Sequence, residues 1–141
     1  MILYADTSAL VPLLIEEPGS AACRELWDAA DRVLVTRLAY VEASAALARA
    51  QRMQRLDPSQ LRQAREVLDI LWLAVSVIEL DRDLMVTAGL MAGVHALRGF
   101  DSVHCAAAVS VKDEQVVAAS GGGKLLAAWR AEGVMVCDTN A

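Results

Sequence analysis

Aromatic residues, long apolar runs and paired cysteines are all scarce in this sequence of 141 residues. Aromatic side chains make up 4% of the chain and the tryptophans are scattered, so no platform for stacking nucleic-acid bases is indicated. The longest apolar run, 70–78, is interrupted by Ser76 and is too short to span a bilayer. No basic segment of the kind that begins a signal peptide stands at the N-terminus. We therefore expect a soluble, cytoplasmic protein with no membrane partner.

The cysteines and the charge balance exclude further classes of protein. Cys23, Cys105 and Cys137 are odd in number, widely spaced and without a C-x-x-C pair. Each has apolar neighbours, which predicts buried free thiols in a reducing compartment. The formal net charge is −5. An acidic chain does not attract nucleic acid through its overall field, so any such binding would need a local patch or metal ions.

What the sequence has in abundance is alanine and valine, within a hydrophobic content of 56%. Short apolar segments alternate with segments of helical periodicity, and no repeat or linker divides them. This alternation predicts a single α/β domain over residues 1–141, with helices on both faces of a central parallel sheet of four or five strands. The predicted strands are 1–5, 33–36, 74–80, 115–119 and 134–137.

Capping residues mark where several helices begin. Pro12 is tolerable only in the first turn of the helix predicted at 8–15. Ser20 is predicted to cap the second helix, and Asp57 followed by proline is a strong helix start. Asp81 is predicted to cap a later helix. The remaining predicted helices span 38–53, 58–71, 81–97, 101–111 and 124–131.

Three carboxylates follow predicted strands or begin predicted helices. Asp6 comes directly after the first strand, Glu42 lies early in the helix after the second, and Asp101 opens a later helix. In a parallel sheet these positions share the carboxyl-end edge, where ligands bind. Three acids meeting there would repel one another unless one is protonated or a cation joins them.

Each acid also has an ordinary structural explanation. Asp6 can be simply a helix cap, Glu42 a surface glutamate, and Asp101 an acid favoured at a helix N-terminus. If they do converge, their oxygen atoms suit Mg²⁺ or Mn²⁺, which can activate water and neutralise charge on a phosphodiester.

The residues around these acids resemble a known family. Asp6-Thr7-Ser8 after a short strand, Glu42 between Val41 and Ala43, and the segment 98–104 before a helix of small residues are similar to the PIN domain. More narrowly, they resemble VapC-type toxins of type II toxin–antitoxin pairs. The resemblance implies a three-layer α/β/α PIN-like fold and an endoribonuclease that cuts RNA with Mg²⁺ or Mn²⁺.

The resemblance also implies roles for particular residues and partners. Asp6, Glu42 and Asp101 match the metal-binding, catalytic acids, and Ser8 matches a supporting hydroxyl. Ser120, at the end of the fourth strand, is a second candidate for such a hydroxyl. A cognate antitoxin that blocks the site and a homodimer are the implied protein partners.

One position departs from the family pattern. PIN domains usually carry a fourth acid after the fourth strand, and Gly122 falls at that place here. Asp113 and Glu114 precede the strand and are expected at its opposite end. The alternative hypothesis is therefore a catalytically impaired PIN-like protein that binds RNA or a protein partner without cleaving.

The histidines and one arginine-rich segment complete the candidates. Neither His95 nor His104 has a metal-ligating residue three or four positions ahead, so we expect structural roles for both. The segment 49–65 carries five arginines and one acid, Asp57. It is either a solvated helical hairpin or a contact for RNA or antitoxin.

Overall fold

Five parallel strands form one sheet in the order β3-β2-β1-β4-β5. The structure, a computed structural model, describes residues 1–141. The strands are β1 (Ile2–Ala5), β2 (Arg32–Thr36), β3 (Ser76–Ile78), β4 (Val116–Ser120) and β5 (Met135–Asp138). The helices are α1 (Thr7–Leu10), α2 (Ser20–Ala29), α3 (Leu38–Arg52), α4 (Pro58–Ala74), α5 (Arg82–His95), α6 (Gly99–Ser110) and α7 (Gly123–Ala131). The predicted α/β class and parallel sheet are confirmed, with five strands.

Alternate residues of the central strand face two different cores, because successive side chains of a strand point to opposite faces of the sheet. Tyr4 belongs to the core formed with α5, α6 and α7. Leu3 and Ala5 belong to the core formed with α1, α2, α3 and α4. The sheet is thus covered on both faces, as the three-layer prediction requires.

Small side chains let α6 lie close to the sheet and to its neighbours. Cys105 and the three alanines that follow it are fully buried. Burial raises the pKa of the Cys105 thiol to about 11, with a smaller contribution from Glu132. All three cysteines are free and Cys23 is also buried, whereas Cys137 is only partly buried, contrary to the prediction.

The first helix differs from its prediction because of Pro12. In place of a helix over 8–15, α1 ends at Leu10 and a 3-10 turn, Val11–Leu13, follows. Proline has no N–H, and its ring clashes with the carbonyl four residues earlier, so an α-helix cannot continue through it. At its other end α1 begins at Thr7, one residue earlier than predicted, and Asp6 is its N-cap, accepting a hydrogen bond from the backbone N–H of Ala9.

Ser20 is not the cap that the sequence predicts. Gly19 occupies the N-cap position of α2, and Ser20 is the first helical residue. The buried Ser20 hydroxyl instead accepts from the Glu17 N–H at 2.8 Å and donates to the Pro12 carbonyl at 2.7 Å. It therefore binds the loop before α2 to the 3-10 turn.

Other element boundaries shift by a few residues. Helix α4 continues to Ala74, which shortens β3 relative to the predicted 74–80. Helix α6 begins at Gly99, so Asp101 lies inside its first turn. None of the helices has both the length and the apolar composition needed to cross a membrane.

Candidate active site

The order of the strands brings Asp6 and Ser120 together. Strands β2 and β3 lie on one side of β1, and β4 and β5 lie on the other, so the direction of strand addition reverses between β1 and β4. Parallel α/β sheets bind ligands at the carboxyl ends of the strands at such a point. Asp6 directly follows β1, and Ser120 ends the neighbouring β4.

Two serine hydroxyls and one backbone amide hold the Asp6 carboxylate. Ser8 Oγ donates to Asp6 Oδ1 and Ser120 Oγ donates to Asp6 Oδ2, each at 2.7 Å. The Ala9 N–H donates to Oδ1 at 3.1 Å. Both candidate supporting serines therefore contact Asp6 directly.

The glycine turn after β4 orients these two hydroxyls. The N–H of Gly121 donates to Ser8 Oγ at 2.8 Å, and the N–H of Gly122 donates to Ser120 Oγ at 2.9 Å. Because the backbone supplies a donor to each oxygen, each hydroxyl is left to point its own hydrogen at Asp6. A Cβ at Gly121 would come within 2.6 Å of the Asn140 amide nitrogen, so a larger residue there would require the exposed Asn140 side chain to move.

Burial dominates the electrostatics of Asp6. Only 6% of the residue is exposed. Burial raises the pKa of the Asp6 carboxyl above its ordinary value, while the attraction of His104 and the three hydrogen bonds lower it to a smaller extent. The ionised carboxylate thus lies in a place where a cation would stabilise it.

Glu42 is held by a different set of donors. Thr7 Oγ1 and His104 Nε2 both lie 2.7 Å from Glu42 Oε1. The other ring nitrogen of His104, Nδ1, lies 2.8 Å from the hydroxyl of Tyr4, which is fully buried. Glu42, on α3, is therefore connected through α6 to the central strand.

This network lowers the pKa of Glu42 rather than raising it. Partial burial acts to raise the pKa of Glu42, but the hydrogen bonds from His104 and Thr7, together with the attraction of His104, outweigh it and leave the pKa below its ordinary value. Burial, followed by the charges of Asp6 and Glu42, raises the pKa of Tyr4 well above its usual range. The Tyr4 phenol therefore keeps its proton.

Asp101 lies where two clefts meet. The first, which we call the Asp6 cleft, has a volume of about 390 Å³ and is lined by Asp6, Glu17 and Gly122 among others. The second, the Glu42 cleft, has a volume of about 440 Å³ and includes Phe100. Asp101 and Arg98 line both clefts. Asp101 thus borders the cleft of each of the other two predicted acids.

The residues present fit a hard divalent cation in part. No three His, Cys, Asp or Glu side chains converge as a complete ligand set. Mg²⁺ does not require one, because it usually binds one or two carboxylates and retains several waters that phosphate oxygens replace. The buried Asp6 carboxylate, with Asp101 on the same cleft, has the oxygen chemistry that such an ion prefers.

The sequence did not predict the contact between His104 and Glu42. The two residues are 62 positions apart, and Tyr4 is 100 positions from His104, so no local spacing indicates the network. One local feature could have indicated that His104 lies near the site. His104 follows Asp101 by three residues, which puts both side chains on one face of α6. The expectation of a structural role for His104 stays a prediction, although His104 contacts a candidate site acid, whereas Nε2 of His95 lies 3.3 Å from Glu132 Oε2, away from the clefts.

Comparison with known proteins gives the family of this chain. The family model described as PIN domain matches residues 3–120. The chain belongs to the PIN domain family.

Within that family the chain is of the VapC type. It is 43% identical over 118 residues to Ribonuclease VapC45 of Mycobacterium tuberculosis, a match that covers 84% of this chain and 82% of that one. The predicted resemblance to VapC-type toxins is thereby confirmed.

Solved structures share the fold at low sequence identity. One is VapC20 of Mycobacterium tuberculosis, described as a toxin that cleaves the sarcin–ricin loop, with a TM-score of 0.70 and 19% identity over 89% of this chain and 94% of that one. Another is a toxin–antitoxin complex from Klebsiella pneumoniae, with a TM-score of 0.65 and 15% identity over 99% of this chain and 98% of the other. At these identities the likeness establishes the fold alone.

Proposed function

We propose that this protein is an endoribonuclease that uses Mg²⁺ or Mn²⁺ and acts as the toxin of a toxin–antitoxin pair. The observation that carries the proposal is the buried Asp6 carboxylate, held by Ser8 and Ser120 at the carboxyl edge of the sheet. The relative named Ribonuclease VapC45 supports RNA as the substrate.

The proposed roles follow from the positions of the acids. Asp6 and Asp101 would hold the ion in the Asp6 cleft, and Glu42 would contribute from the neighbouring cleft. The ion, when bound, would activate water and offset charge on the phosphodiester. Arg98 lines both clefts and is suited to contact a phosphate oxygen.

The arginine-rich segment offers a path for the RNA backbone. Its five arginines are exposed on α3, on α4 and on the turn between them. Arg55 pairs with Glu17 at 3.1 Å, and Glu17 lines the Asp6 cleft. The pair therefore connects the segment to the rim of the cleft, which supports a role in binding phosphates of a longer RNA.

Exposed apolar side chains support the proposal of protein partners. Val86, Leu90 and Val94 are spaced four residues apart on α5 and all three are exposed. Ile70 and Leu73 are exposed on α4. Contiguous exposed apolar surface is typical of interaction sites, and we propose the antitoxin and a second copy of the chain as the partners.

The proposal is tested by cleavage of total RNA with added Mg²⁺ or Mn²⁺. We expect the unaltered protein to cleave and Asp6→Ala to lose activity. Glu114→Ala is the matched control, because Glu114 is an exposed acid before β4, at the opposite end of the strand from Asp6. Loss of activity in both variants would contradict the assignment of Asp6.

The same assay distinguishes an active nuclease from the alternative hypothesis of a catalytically impaired binding protein. If the unaltered protein is silent and Gly122→Asp cleaves RNA, the missing fourth acid accounts for the loss. If folded preparations of the unaltered protein and of Gly122→Asp are both silent, the binding-protein hypothesis replaces the nuclease.

A further inference from the structure

A chain of polar contacts runs from the buried core to the Glu42 carboxylate. It begins at Tyr4 in β1, passes through His104 in α6, and ends at Glu42 in α3. Resting on the proposed function, we infer that His104, oriented by Tyr4, is a positioning residue that fixes Glu42 for metal binding.

The hydrogen bonds determine which nitrogen of His104 carries the hydrogen. Neutral histidine has one donor and one acceptor nitrogen. The attraction that lowers the pKa values of Asp6 and Glu42 belongs to the protonated form of His104, in which both nitrogens donate and the Tyr4 hydrogen has no acceptor. The Tyr4 hydroxyl has His104 Nδ1 as its single hydrogen-bond partner, and the carboxylate of Glu42 can only accept. Every hydrogen finds an acceptor when Tyr4 donates to Nδ1 and the Nε2–H donates to Glu42 Oε1. The opposite tautomer would set a lone pair of Nε2 against the carboxylate.

The two oxygens of Glu42 then have different tasks. Oε1 accepts from both Thr7 and His104, whereas Oε2 has no hydrogen-bond partner. The Glu42 side chain is 19% exposed and lines the cleft that it shares with Asp101. The network thus immobilises one oxygen and leaves the other available, which spares the entropy of ordering a flexible side chain when an ion binds.

The far end of the network is rigid. The Tyr4 ring packs edge-on against Trp129, with ring centroids 5.7 Å apart, and both residues are fully buried. The indole N–H of Trp129 also donates to the backbone carbonyl of His104 at 3.3 Å. Because both the ring and the backbone of His104 are held, the direction of its Nε2–H is fixed by the core.

A pair of substitutions at His104 tests the inference. In His104→Gln the side-chain amide nitrogen can take the place of Nε2 and donate to Glu42, whereas in His104→Asn the amide reaches only the place of Nδ1. We expect the Mn²⁺ dissociation constant, measured by calorimetry, to rise about 10- to 100-fold in His104→Asn, as is typical when the partner of a metal ligand is lost. His104→Gln should recover most of the affinity.

A second variant and a spectroscopic readout examine the role of Tyr4. Tyr4→Phe keeps the ring that packs against Trp129 and removes only the hydroxyl. Nitrogen chemical shifts of His104 in the metal-free protein should show the Nε2–H tautomer in both chains, because Glu42 still requires a donor, and the Nδ1 signal of Tyr4→Phe should move downfield because the hydrogen bond from the Tyr4 hydroxyl is lost. His95→Asn is the control, since His95 pairs with Glu132 away from the clefts and its loss should leave Mn²⁺ affinity unchanged.

The outcomes separate this inference from the proposed function. Failure of the unaltered chain to bind Mn²⁺ would overturn both. Mn²⁺ binding and RNA cleavage by the unaltered chain, with equal Mn²⁺ affinity in folded His104→Gln and His104→Asn, would overturn the positioning role alone. An Nδ1–H tautomer in the unaltered chain would also overturn it. Weak binding in His104→Asn with recovery in His104→Gln would support it.

Discussion

The proposed site contains two acids, Asp6 and Glu42, that the protein holds in different ways. Asp6 is almost fully buried and accepts hydrogen bonds from two hydroxyls and a backbone amide, and its pKa is raised. Glu42 is partly exposed and is held by Thr7 and His104, and its pKa is lowered.

The difference indicates which acid most needs a cation. Neutral donors do not fully offset the desolvation of Asp6, so its charge remains unfavourable in the metal-free protein. Glu42 already has a favourable electrostatic environment. We therefore expect ion binding to draw mainly on Asp6, with Glu42 contributing geometry.

The largest expected effect is the loss of metal binding in Asp6→Asn. RNA cleavage should fall by more than about 100-fold, since losing even a partner of a metal ligand typically costs 10- to 100-fold. Mg²⁺ at about 100 times its dissociation constant should stabilise the unaltered protein by about 2.7 kcal/mol. Thermal unfolding should show that Asp6→Asn loses this stabilisation, whereas Glu42→Gln keeps part of it. Equal losses in both variants would remove the contrast between the two acids.

Gly122→Asp should strengthen metal binding in the Asp6 cleft. Gly122 is the N-cap of α7, its φ of −93° suits any residue, and an added Cβ would meet Ser120 Oγ at 3.4 Å. A carboxylate there would add an oxygen ligand to the Asp6 cleft, so we expect Mn²⁺ affinity to rise about tenfold, or 1.4 kcal/mol.

Helix capping by the new side chain is a second possible effect of Gly122→Asp, and it has to be separated from metal binding. Aspartate is a better N-cap than glycine by about a few tenths of a kcal/mol. Gly122→Ser, which caps without a carboxylate, is the matched control. A gain in Mn²⁺ affinity in the serine variant as well would show that capping, and not a new ligand, is responsible.

The opposite pKa shifts predict opposite dependences of stability on pH. Because the pKa of Asp6 is raised on folding, its stabilising contribution is complete below the unfolded value, about 3.9, and is lost as pH rises through the folded pKa. Because the pKa of Glu42 is lowered, its contribution is present above the unfolded value, about 4.3, and is lost as pH falls through the folded pKa.

Urea unfolding of metal-free protein between about pH 3 and pH 8 measures these dependences. Relative to the unaltered chain, Asp6→Asn should become more stable as pH rises, and Glu42→Gln should become less stable. Saturating Mg²⁺ should restore the stability of the unaltered chain at high pH. Parallel pH profiles for the two variants would be inconsistent with the different environments of the two acids.

The smallest expected effect is on RNA binding, from substitutions in the arginine-rich segment rather than at Asp6 or Glu42. Arg62→Ala and Arg65→Ala should each weaken RNA binding a few-fold without changing Mn²⁺ affinity. If each arginine contacts one phosphate, the slope of log affinity against log salt should fall by about 0.7 per substitution for single-stranded RNA. Filter binding at several salt concentrations, with Arg82→Ala as a control on α5, measures this. An unchanged slope would indicate that α4 lies off the RNA path.

The sequence predicts the fold well because most of its signals are local. The short β-branched strands, the caps Asp57 and Asp81, and the alternation of strands and helices all appear in the structure. The positions of Asp6 and Asp101 at the carboxyl edge follow from the same alternation. Boundaries near Pro12 and Ser20 were wrong where a ring clash or a loop contact decided the conformation.

The details of the site depend on pairs of residues that are distant in the chain. The hydroxyl of Ser120 reaches Asp6 because β1 and β4 are neighbours, a fact of strand order rather than of local pattern. His104 meets Glu42 because α6 and α3 both reach that edge of the sheet. Periodicity and capping describe one segment at a time, so they cannot indicate which polar side chains will face each other.

The pairing of β1 with β4 has a consequence for the timing of synthesis. Asp6 and Ser120 are separated by 114 residues, so the hydroxyl that completes the Asp6 site is translated long after the acid itself. The segments that form β1, β2 and β3 emerge from the ribosome before β4 and can begin to associate without it. The Asp6 carboxylate and the Ser120 hydroxyl therefore come together only when nearly the whole chain has been released. A shortened translation product that ends before β4 would lack this contact.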